Sequence, residues 1–142
     1  MKTPCNLVVN LFEDGLQSIE QMRLGDVVKV SILKNQKKTG SIAKIDINYL
    51  WLLGEGSVKP LALETIISVE RTLCRETLWE KMYPRRNLKV ADDLMVKMPD
   101  DSFETGKFIS LFSGFVAYVC DDRLSDNGII RVSPREEVVF SS

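Results

Sequence analysis

The sequence predicts an all-β protein built from two small barrels in tandem, joined by a short helical linker. The first observation is a repeat: the stretch that begins at Asp26 recurs in the stretch that begins at Asp93. With Gly40 placed on Gly106, Ile42 falls on Phe108, Ile45 on Leu111, Tyr49 on Phe115, Leu50 on Val116 and Leu53 on Val119 without a gap. Setting Gly56 on Gly128 brings Val58 onto Ile130, Ile66 onto Val138 and Ile67 onto Val139, so the copies differ mainly by a longer turn from Asp121 to Asp126. The second observation is that apolar residues in each copy alternate, or run in short blocks bounded by Gly, Asn and Asp, as strands require. The third is the one break in that pattern, between the copies. Each unit has about 50 to 60 residues, a size at which a lone core is marginal, so the two are expected to pack together or share the linker. A duplicated unit of this kind points to linked binding modules more readily than to one active site.

Residues 1–71 are read as the first barrel with an N-terminal extension, 72–86 as the linker and 87–142 as the second barrel. Leu7 to Phe12 is an apolar run of strand type that ends at Glu13-Asp14-Gly15. Ser18-Ile19-Glu20-Gln21 has the spacing of a capping box, which predicts a short helix from Ser18 to Arg23. Val27 to Ile32 alternates around Lys29 and Ser31 and reads as a half-buried strand. Asn35 to Thr39 is a polar turn, and Gly40 opens the next strand, Ser41 to Ile47. Tyr49 to Leu53, Val58 to Leu63 and Thr65 to Val69 complete five short strands, the signature of a small, strongly bent barrel. From Thr72 to Met82 the spacing of Leu73, Leu78, Trp79 and Met82 is helical, and Pro84 ends the segment. The second set of strands is Asp93 to Met98, Gly106 to Phe112, Phe115 to Cys120, Gly128 to Val132 and Glu137 to Phe140.

The formal net charge of -1 gives no global field that would draw the protein to a polyanion. Charge is uneven, with Lys34, Lys37 and Lys38 in the first copy and Asp92, Asp93, Asp100, Asp101, Glu104, Asp121, Asp122 and Asp126 in the second. An acidic second unit suits a cationic partner, although charged loop tips also serve solubility alone. There is no histidine, and Cys5, Cys74 and Cys120 form no CxxC pair, so no zinc site and no histidine-based catalysis are expected. The sparse, odd cysteine count suits a reducing compartment. No segment resembles a signal peptide and no apolar run nears the ~20 residues of a membrane span, so an intracellular protein, nuclear or cytoplasmic, is expected. Phosphate-cradling glycine loops and nucleophile elbows are absent from the sequence; the expectation is a protein that is not an enzyme and uses no cofactor.

A strand, a polar turn, a Gly opening a long bent strand, an apolar strand, a hairpin and a short closing strand resemble the SH3-like barrels, in both their Tudor and Sm-like branches. Phe115-Val116-Ala117-Tyr118-Val119-Cys120-Asp121-Asp122-Arg123 is similar to the Tudor strand that ends in an acidic turn. Tyr83-Pro84-Arg85-Arg86, followed by a strand and Gly106, is similar to the join between successive Tudor domains in the triple-Tudor region of the bifurcated-SET histone lysine methyltransferases. That resemblance implies a chromatin or scaffold setting and a methyl-lysine reader, whose aromatic faces attract a methylated cation through the ring quadrupole. Phe103, Phe112, Phe115 and Tyr118, with Asp121 and Asp122 as an acidic rim, are the candidate cage of the second copy. The same rings are the natural filling of a small core. In the first copy Tyr49 and Trp51 stand two apart on one strand and therefore share a face, where they would meet a peptide or the other barrel.

The function expected from these residues is a non-catalytic protein-interaction module for a basic or methylated, histone-like peptide. The alternatives are an Sm-like, RNA-associated scaffold that uses Lys34, Lys37 and Lys38, or a pure docking or oligomerisation module working through a strand edge. Arg85 and Arg86 could likewise touch phosphates, but without interleaved aromatics a solvated linker is the simpler reading.

Overall fold

Two antiparallel sheets dominate the computed structural model, which describes residues 6–120 and 129–141. The first contains β1 (Leu7–Asn10), β2 (Val27–Ile32), β3 (Gln36–Ile45), β4 (Tyr49–Leu53), β5 (Val58–Ala62) and β6 (Ile66–Leu73), in the order β1-β6-β2-β3-β4-β5. The second contains β7 (Asp93–Lys97), β8 (Phe103–Phe112), β9 (Phe115–Cys120), β10 (Ile130–Pro134) and β11 (Val138–Phe140), in the order β10-β9-β8-β7-β11. Read from the closing strand outward, the two orders are the same, apart from β1, which adds to the free edge of β6. A single 3₁₀ turn precedes the closing strand in each sheet, Leu63–Thr65 in the first and Arg135–Glu137 in the second.

The repeat extends to the hydrogen bonds. Gly25 donates to the Ile42 carbonyl at 2.8 Å and Ile42 to that of Asp26 at 3.0 Å; Ala91 and Phe108 repeat this with Phe108 and Asp92 at 2.7 and 2.8 Å. Gly40 and Gly106 are required by close approach. A Cβ on Gly40 would stand 2.5 Å from the Leu53 carbonyl oxygen, and one on Gly106 2.7 Å from the Tyr118 ring.

Three apolar clusters follow from strand alternation. Val28, Val30, Ile42, Leu50, Leu52, Ile66 and Val69 fill the first sheet's concave side, closed by Ile19 and Met22. Leu94, Val96, Phe108, Val116, Tyr118 and Phe140 fill the second, closed by Trp79. Between the sheets lies a third cluster of Ala43, Leu53, Ile109, Ala117 and Val119. The long strands that cross between these cores each carry a register shift, between Ile42 and Lys44 in β3 and between Phe108 and Ser110 in β8. Strand alternation turns Ile42 and Phe108 into their own cores and Ala43 and Ile109 into the shared one, and each bulge then resets the alternation so that Ile45 and Leu111 return to their own cores.

α2 (Arg75–Met82) follows β6 directly and contributes Trp79, Leu78 and Met82 to the second core. Its start is held by the first sheet: Asp26, fully buried, accepts from the Arg75 backbone N–H at 2.9 Å, while Arg23 bonds both Asp26 and Glu76. The side chain of Trp79 fills the space above Gly25, where a Cβ would lie 2.3 Å from the ring.

Several local expectations change. β3 begins at Gln36 and not at Ser41, because Gln36 to Thr39 pair with β2 as an exposed arm whose polarity mimics a turn. The chain reverses earlier, at Lys34 and Asn35, which take positive φ of 70° and 60°. β8 is extended in the same way, beginning at Phe103. Leu7 to Phe12 is not one strand: after β1, Leu11–Asp14 forms one helical turn, α1, in which Asn10 Oδ1 accepts from Glu13 N at 3.0 Å. The helix expected from Ser18 is a 3₁₀ segment, Leu16–Gln21. Ser18 caps nothing there, since its hydroxyl donates back to the Gly15 carbonyl at 2.6 Å. Cys74 is disulfide-bonded, and the Cys120 thiol donates to Glu104 Oε1 at 2.6 Å. Among the described residues, no helix is long and apolar enough to cross a membrane.

Candidate functional site

The tight connection between β3 and β4 is organised by Asp46. Its Oδ1 accepts from the backbone N–H of Asn48 at 2.8 Å and of Tyr49 at 2.7 Å, an Asx turn that Asp favours because its short side chain mimics a backbone carbonyl. Its Oδ2 accepts from the Trp51 indole at 3.0 Å. That indole bond, then the two backbone donors and the Lys44 charge, holds the Asp46 carboxyl below the ordinary carboxylate value against the opposing cost of burial.

The turn thereby sets the orientation of Trp51. Tyr49 and Trp51 share a face of β4, with ring centroids 6.0 Å apart at 61°, and Tyr49 is exposed. Lys44, opposite Trp51 on β3, places its ammonium 5.9 Å from the indole centroid, so the ring already carries a cation. Trp51 also meets the second sheet: with Lys44, Val58, Ile129 and Ile130 it lines a cleft of about 230 Å³. Asp46 borders a further groove of about 560 Å³ against Leu16, Glu20, Ile45, Ile47 and Leu63. Ile47, at 87 % exposure, stands at its lip.

The aromatic candidates of the second copy do not converge. Phe103 starts β8 opposite Lys97 and is exposed. Phe112 and Phe115 face each other across the β8–β9 turn and pack on the cluster between the sheets, Phe115 lying over Gly56 of the first unit. Tyr118 is 3 % exposed in the second core. Its hydroxyl donates to Glu104 Oε2 at 3.1 Å, and burial, followed by the Glu104 charge, pushes its pKa up to about 12. Three of these rings serve packing and one is open to solvent. Asp121 and Asp122 lie outside the described residues.

Part of the acidity of the second copy is compensated by ion pairs. Asp93 pairs with Lys107, Asp101 with Lys97 at 3.6 Å and Glu104 with Arg131 at 3.0 Å. Lys34, Lys37 and Lys38 are exposed on the β2–β3 arm. Sequence reasoning did not single out Asp46, although Asp-x-Asn directly before an aromatic strand is a readable Asx-turn signal. Arg135 was missed as well, since its ring partner is far away in the chain. Among the described residues no group of His, Cys, Asp and Glu is arranged to hold a metal ion. The sequence matches no protein-family model and no curated protein.

Proposed function

We propose that the chain is a tandem of SH3-like barrels, the first over residues 1–71 and the second over 87–142, acting as a non-catalytic protein-interaction module. Its contact surface is the Tyr49–Trp51 edge of the first barrel, and its partner is a basic or methylated peptide of the histone-tail kind. The shared strand order and the 3₁₀ turn before each closing strand support the barrel reading.

The observation that carries the function is the Lys44 ammonium over the Trp51 ring. The face that holds an internal cation is suited to an external one, and methylation strengthens the match by removing hydrogen bonds that water would otherwise supply. Asp46 fixes the ring and adds a negative charge beside it. By resemblance to the Tudor domains, the setting is a chromatin or nuclear scaffold.

The test is a titration of isotope-labelled protein with unmethylated and methylated histone-tail peptides, with a short RNA as a control. Shifts confined to Asp46 and to Tyr49 through Leu53, lost in Trp51→Ala and in the solvent-exposed Tyr49→Ala, are expected. Shifts at Lys34 to Lys38 with RNA alone would transfer the reading to an Sm-like scaffold, and silence with every ligand would leave a docking module.

A further inference from the structure

The fold supplies the aromatics that the arginine-rich linker lacks in sequence. The Arg135 guanidinium lies 5.4 Å from the Tyr83 ring centroid and that of Arg86 lies 5.6 Å from the Phe140 centroid. Tyr83 and Phe140 are in edge contact at 5.0 Å, so the two cations rest on one aromatic platform. Arg86 donates to the Ser141 carbonyl at 3.0 Å and Arg135 to Met82 Sδ at 3.7 Å. Stacking and one bond each hold the guanidinium planes while leaving their other N–H donors open.

Arg85, exposed, stands beside them, and the three arginines with Tyr83, Pro84 and Asn87 line an open cleft of about 690 Å³. None of the described residues that line it is acidic. Among the described residues no carboxylate pairs with Arg85, Arg86 or Arg135, in a chain whose formal net charge is -1. Beneath the Arg135 guanidinium, the buried Tyr83 hydroxyl meets no hydrogen-bond partner of good geometry. Positive charge and pre-set donors thus coincide in one concavity.

The geometry points to a binding site for a small phosphate ester of mononucleotide size. Guanidinium groups take phosphate oxygens in pairs through parallel N–H donors, and several of them around one cleft match a multi-oxygen anion better than a single carboxylate. The volume falls in the range of small-molecule sites and exceeds what a bare phosphate fills. The surplus runs along Met82 and Pro84, a wall for a flat ring, with the Asn87 amide offering a donor and an acceptor to a base edge.

The full chain is titrated with AMP, GMP, inorganic phosphate and unphosphorylated adenosine, followed by calorimetry and by amide shifts. Saturable binding of a mononucleotide is expected, about tenfold tighter than inorganic phosphate, with shifts at Met82 to Asn87 and at Arg135 and none from adenosine. Arg135→Ala and Arg85→Gln should each weaken it by about fivefold or more. Arg85 is exposed and among the described residues makes no hydrogen bond or ion pair, so its variant reads the site even if Arg135→Ala fails to fold. No saturable binding of either nucleotide at millimolar concentration, binding unchanged in Arg85→Gln, or inorganic phosphate binding as tightly as both nucleotides would each overturn the site.

Discussion

Asp26 and Asp92 hold the same place at the entrance to the two sheets, and only Asp26 is an anchor. Each accepts a bond from the backbone N–H three residues earlier, Arg23 at 3.3 Å and Lys89 at 2.8 Å, and each offers its carbonyl to the long strand that follows. Asp26 alone is fully buried, with Arg71 at 3.2 Å, Arg23 at 3.0 Å and the first N–H of α2 on its carboxylate. Removing one partner of a buried pair strands the others, so Asp26→Ala should cost about 3–5 kcal/mol. Asp92→Ala loses one exposed turn bond and should cost about 1 kcal/mol. Urea denaturation of both variants measures the difference.

Alanine at Gly40 or Gly106 must displace backbone or ring atoms that stand within 3 Å of the new methyl. Overpacking of this kind costs about 1–3 kcal/mol. Gly54, where a Cβ meets nothing within 4 Å, is the internal control and should tolerate alanine with little change in thermal midpoint.

The indole N–H of Trp51 should report the ionisation of Asp46. A carboxyl depressed by its partners contributes stability that is complete above its ordinary value of 3.8 and is lost as pH falls through the lower, native value. The Trp51 indole resonance is therefore expected to stay constant down to that region and then move, with a midpoint below 3.8. In Asp46→Asn the movement should vanish; a midpoint at the ordinary value would show that the bond is not made in solution.

Tyr118 gives the opposite sign. Its phenol titrates at about 12 in the native state and at 10 without the protein's influence, so between those values the folded chain holds the proton that the unfolded chain has lost. Stability should accordingly fall as pH rises through that window. Tyr118→Phe should abolish this alkaline loss at a cost of about 1 kcal/mol at neutral pH, the net value of its bond to Glu104. Tyrosinate absorbance and alkaline unfolding curves check both halves.

Strand positions facing a core were the most legible part of the chain. Val27–Ile32 has the bounds that its alternation predicts, because burial on one side forces the period, and Tyr49–Leu53 has the bounds of its uninterrupted apolar run. The β2–β3 arm was illegible for the converse reason: Gln36 to Thr39 are exposed on both faces, and polar residues in a paired arm look like a turn. The bulges at Ala43 and Ile109 leave no mark in composition, and without them the pointing of alternate residues is misjudged by one. Phe112 and Phe115 read as cage candidates because they stand near loops at strand ends, although the fold spends them between the sheets. Nor could spacing bring Arg135 and Tyr83 together, since only the closing of the second sheet does so.

The shared cluster has a consequence for how such a chain can arise. Ala43 and Leu53 of one unit meet Ile109 and Val119 of the other, and these are the same positions of the repeat. A lone ancestral unit carrying the bulge would present an apolar face that fits a copy of itself, the self-complementary pattern of an isologous dimer. Fusion of two copies then invents no new surface; it converts an association that depends on concentration into one fixed within a single chain, and frees each half to diverge everywhere except at the seam.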